Sequence, residues 1–209
     1  MQRTSIAWVG RAELLVDFVD DETRLAIDRY VAFAKGGPAL FPSAIERAEE
    51  LIGPLPEALR YLYRTCGNGH FGAGFRPLIF EGDPEEARVY DFGETSVVGA
   101  TLIERDHVTD DTPWPPGLLR LFNWGCAVES CVDTLEPRLR VVRYDPHWLG
   151  EAPEAEIPTR AAYATDVVGP QQASAFVVER ESLASWLDLW REGHSLAELQ
   201  RMGEPRLPS

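Results

Sequence analysis

Apolar residues recur along this chain with two different periods. Between residues 11 and 34, Leu15, Phe18 and Val19 form one stripe, and Ile27, Tyr30, Val31 and Ala34 form another at i, i+3, i+4, i+7. That spacing is one face of a helix. The acidic Asp20-Asp21-Glu22 between the stripes is expected to divide the segment into two helices, and Lys35-Gly36-Gly37-Pro38 ends it. Ser43-x-x-Glu46 reads as a capping box for a short helix through Leu51-Ile52, stopped by Gly53-Pro54. Pro56 suits the first turn of the next helix, where its missing N–H costs nothing. Leu59, Leu62, Tyr63 and Cys66 share a face of that helix, and Gly67 supplies a left-handed exit.

Downstream the period shortens toward two. Phe75–Phe80 leaves the glycines as a strand, and Ser96–Glu104 reads as a strand interrupted by Gly99. Leu118–Trp124, Ala127–Asp133 and Arg138–Tyr144 follow as strands, with turns at Gly125 and at Leu135-Glu136-Pro137. They predict a meander of consecutive antiparallel strands. Residues 145–172 are rich in proline and acid and read mostly as loop. Ala175–Val178 is either a last short strand or the lead into a helix. Ser182 caps that helix, whose Leu183, Trp186, Leu187 and Trp190 share a face and which Gly193 closes. A second capping box, Ser195-x-x-Glu198, starts a short terminal helix. Helices, then strands, then helices argue an α+β fold rather than alternating βαβ units.

Gly67-x-Gly69-x-x-Gly72 matches the dinucleotide-binding fingerprint letter for letter. That fingerprint needs a strand before the glycines and a helix after them, so that a pyrophosphate meets a helix N-terminus. Here a helix enters and an extended segment leaves. The glycines face the carbonyl end of a helix, which repels phosphate, so they are expected to shape a bend and bind no cofactor.

Charge narrows the partners. The 209 residues carry 34 acidic and 20 basic side chains, a formal net charge of −14. This balance disfavours nucleic acid and anionic membranes, which need a basic footprint, and suits a basic protein. The N-terminus lacks the build of a signal peptide, and no run approaches the ~18 apolar residues of a membrane span. Cys66, Cys126 and Cys131 are few and odd in number, which fits a reducing compartment. A cytoplasmic location is expected.

Three blocks carry a family resemblance: AIERAEELIGPLPEALRYLYRTCGNGHFGAGF, WPPGLLRLFNWGCAVESCVD and SAFVVERESLASWLDLWREG. In order and spacing they resemble the SUKH superfamily, which includes the yeast cell-wall assembly regulator and many bacterial toxin-immunity proteins. The resemblance implies an α+β fold with a bent, mainly antiparallel sheet flanked by N-terminal and C-terminal helices. It also implies a non-catalytic role in protein binding, with no catalytic residue to carry over. One domain over residues 1–209 is expected. It comprises a helical extension at 1–40, a SUKH-like core at 43–193 and a tail at 194–209 with its short helix.

The favoured function is an intracellular immunity protein that neutralises a cognate, nuclease-type basic toxin through an acidic surface. Glu81, Asp83, Glu85, Glu86, Asp106, Asp110, Asp111 and Trp114 are the candidate partner-binding residues, Trp114 as an exposed aromatic among acids. A regulatory adaptor of the same fold without a toxin is the first alternative. The second is a hydrolase using Cys66 with His70, or a pair of carboxylates. Against the thiol, Cys66 completes an apolar helix face at the helix C-terminus, where a thiolate is disfavoured. Cys126 and Cys131 lack zinc-knuckle spacing. No metal, cofactor, nucleic acid or membrane is expected, and oligomeric state is left open.

Overall fold

Helix α1 (Asp21–Ala34) begins at Asp20, whose carboxylate accepts from the Thr23 N–H at 2.8 Å and the Thr23 hydroxyl at 2.7 Å. The acidic run therefore opens one helix by capping it. A computed structural model describes residues 19–34, 39–69, 75–79, 96–107, 114–148 and 175–192, so the expected helix before Asp20 lies outside the described residues. Ile27 and Tyr30 are buried in the same core as Leu59, Leu121 and Trp186, so this part of the N-terminal extension belongs to the main core.

Helix α2 (Pro42–Ile52) starts one residue ahead of the expected capping box. Phe41 takes the N-cap position without a side-chain hydrogen bond, and Ser43 and Glu46 are exposed. Pro42 explains the shift, because its fixed φ and absent N–H let it lead a helix unaided. Helix α3 (Glu57–Cys66) follows, with Pro56 at the N-cap rather than inside the first turn. It ends at Gly67, at φ +89°, whose N–H donates to Tyr63 O at 3.1 Å.

The glycines make a turn. Gly69 sits at φ +77°, and a Cβ there would stand 2.6 Å from the backbone nitrogen of Pro77. Asn68 bridges the closed turn, accepting from Leu78 N–H and donating to Ile79 O, both at 2.7 Å. Within the expected strand at Phe75–Phe80, the described residues 75–79 form a single bridge, between Phe75 and Phe122, with Arg76 N–H donating to Leu121 O at 2.9 Å. Pro77 cannot donate to a ladder, so pairing stops there. Gly72 and His70 lie outside the described residues.

Residues expected as a strand at Ser96–Glu104 form a helix instead, α4 (Val97–His107). The Ser96 hydroxyl accepts from Gly99 N–H at 2.9 Å, an N-cap. Val97 and Val98 N–H groups donate to Pro77 O and Leu78 O at 2.8 and 3.1 Å. Tertiary partners thus satisfy the orphan donors of the first turn and override the β-propensity of the valines.

Strands β1 (Leu118–Gly125), β2 (Val128–Asp133), β3 (Val141–Tyr144) and β4 (Phe176–Arg180) form one sheet in that order, each antiparallel to its neighbour. The fold is α+β. The third strand starts later than expected because Leu139, at φ +53°, is still in the turn, its N–H donating to Glu136 O at 2.8 Å. Ala175–Val178 resolves into β4. Ser182 then caps α5 (Leu183–Arg191), accepting from Ser185 N–H at 3.2 Å. Register breaks in β1 and β4 are bulges, which bend the sheet. One sheet face, with Leu121, Val132 and Val141, meets the helices; the other carries Leu118, Cys131, Val142 and Phe176. Among the described residues no helix is long and apolar enough to cross a membrane. Gly193 and the box at Ser195 lie outside the described residues.

The turn between β1 and β2 has two central residues, Cys126 at φ +50° and Ala127 at φ +63°. Both need the left-handed region that asparagine and glycine occupy more readily. Replacing them together by Cys126→Asn and Ala127→Gly should raise stability by about 1 kcal/mol, seen as a higher denaturation midpoint at unchanged m-value. Gly69→Ala should cost about 2 kcal/mol or more, since strain adds to a clash with backbone; an unchanged midpoint would contradict the tight turn.

Candidate functional site

The sheet face away from α5 carries charge where apolar alternation would place leucine or valine. Arg76 reaches Glu129 of β2 in a two-pronged contact, Nη2 to Oε1 at 2.8 Å and Nε to Oε2 at 3.2 Å. Both side chains are only 3% exposed. Arg120 of β1 donates from Nη1 to the same Glu129 Oε1 at 2.8 Å, and its Nη2 pairs with Glu104 of α4. One buried carboxylate thus joins the post-glycine segment to β1, and Arg120 carries the link on to α4. Burial works against the Arg120 charge, but the Glu129 and Glu104 carboxylates outweigh it and hold the guanidinium above its ordinary pKa.

Aromatic rings cover the same arginine. The Arg120 guanidinium lies 4.4 Å from the Trp114 ring centroid and 5.5 Å from that of Tyr144, within cation–π range. Trp114 donates from Nε1 to Leu118 O at 2.8 Å and meets Tyr144 and Phe176 edge-on at 5.1 and 5.5 Å. Trp114 is half-buried with its polar atom satisfied, which corrects its reading as an exposed aromatic. Trp-Pro-Pro looks exposed in sequence, but Phe176, sixty-two positions later, supplies the wall it packs on.

Of the other expected partner-binding residues, Glu81, Asp83, Glu85, Glu86, Asp110 and Asp111 lie outside the described residues. Asp106 lies in the last turn of α4, and its side chain is outside them too. Two fixed points flank the Asp110-Asp111 stretch in sequence, α4 on one side and Trp114 on the other. Arg120 touches both, through Glu104 and through the Trp114 ring. Arg120 and Glu129 form no recognisable site motif in the sequence. Their signal was present as two charges breaking the apolar alternation of LLRLF and AVESCVD.

Of the Cys66 and His70 pair considered for nucleophilic catalysis, Cys66 lies among the described residues. Cys66 is buried, and burial together with the Asp28 charge pushes its thiol up to about 12, away from the thiolate that attack requires. His70 lies outside the described residues. Burial pushes the Cys131 thiol well up as well, with the Glu129 charge adding to it. Among the described residues no cluster of His, Cys, Asp and Glu has the arrangement of a metal site. Comparison with protein-family models, with curated proteins and with solved structures finds no match to this chain.

Glu129→Gln removes the carboxylate that two buried arginines share and should cost about 3 kcal/mol, measured by chemical denaturation. Joining Arg76→Met to Glu129→Leu should recover part of that loss. Equal damage from the single and the double replacement would show that packing, not charge, dominates here.

Proposed function

We propose that this chain is a non-catalytic protein-binding domain of the SUKH type, an immunity protein that blocks a cognate basic toxin of the nuclease type in the cytoplasm. The observation that carries the reading is the coupling of Arg120 to Trp114 and to Glu104, on either side of the acidic Asp106–Asp111 stretch. Held flanks reduce the conformational freedom of any segment that joins them, and so the entropy lost when such a segment binds a partner. The formal charge of −14 adds long-range attraction for a cationic partner and speeds encounter. Cys66 supports the non-catalytic reading, because its thiol is buried and held protonated.

The partner is the protein retained by the full chain from the native host at low salt. With that partner purified, Asp110→Arg with Asp111→Arg should slow association at least about tenfold at low ionic strength and leave dissociation nearly unchanged, as steering charges do. Raising the salt should erase the difference. Identical association rates for the native and charge-reversed chains would remove this surface from the interface. A toxin whose activity persists with the chain bound would remove the immunity function.

A further inference from the structure

We draw no further inference here: the strongest candidate, the exposed apolar patch on α1 at Leu25 and Phe33, carries nothing because nothing in the structure shows what covers it.

Discussion

A carboxylate deprived of water has to be met by opposite charge, and the arrangement around Glu129 organises one whole side of this molecule. Its two arginines come from separate parts of the chain, Arg76 from the segment after the glycine turn and Arg120 from β1. Holding Arg76 in place requires the turn at Gly67 and Gly69, and Tyr63 of α3 fixes the same residue by donating to Arg76 O at 3.1 Å. Arg120 then draws α4 onto the sheet through Glu104. A buried ion pair of this kind adds little net stability over an apolar equivalent, but it does not tolerate the loss of one partner.

The opposite face of the sheet works by shape. Phe75, the single bridge residue, lies 5.0 Å from the Phe122 ring and 5.6 Å from that of Trp186. Trp124 and Trp190 stack at 5.4 Å with their planes 9° apart. Offset and edge-on rings add attraction beyond their buried area. Because both faces of the sheet are covered, β2 buries every residue from Glu129 to Asp133. Its polar members must then find partners, and Glu129 and Ser130, neighbours in sequence, anchor networks on opposite faces.

Charge is unevenly shared between scaffold and candidate interface. On the described surface Arg24, Arg29, Arg47, Arg60, Arg64 and Arg138 each lie beside a carboxylate. Such exposed pairs contribute little stability individually, yet they neutralise the helices locally. The stretch from Glu81 to Glu94 carries six acids against Arg88, and Asp106 to Asp111 holds three acids and no arginine. In sequence, each of these two stretches therefore carries a net negative charge.

Local pattern alone located most of the helices and the strand meander. The i, i+3, i+4, i+7 stripes of α3 and α5, the cap at Ser182 and the exit at Gly67 depend on neighbours a few positions away, so they are visible in one dimension. The direction of the glycine motif belongs to the same class: a helix precedes Gly67, as its apolar spacing requires. Ser96–Glu104 was not legible, because its valines favour a strand until Pro77 and Leu78 carbonyls satisfy the first turn of a helix. Trp114 was not legible either, since its neighbours in sequence are prolines and acids while its neighbours in space are Arg120, Tyr144 and Phe176. Periodicity determined which elements form; which side chains meet across the sheet, and so which charges are buried, was decided by contacts between residues far apart in the chain.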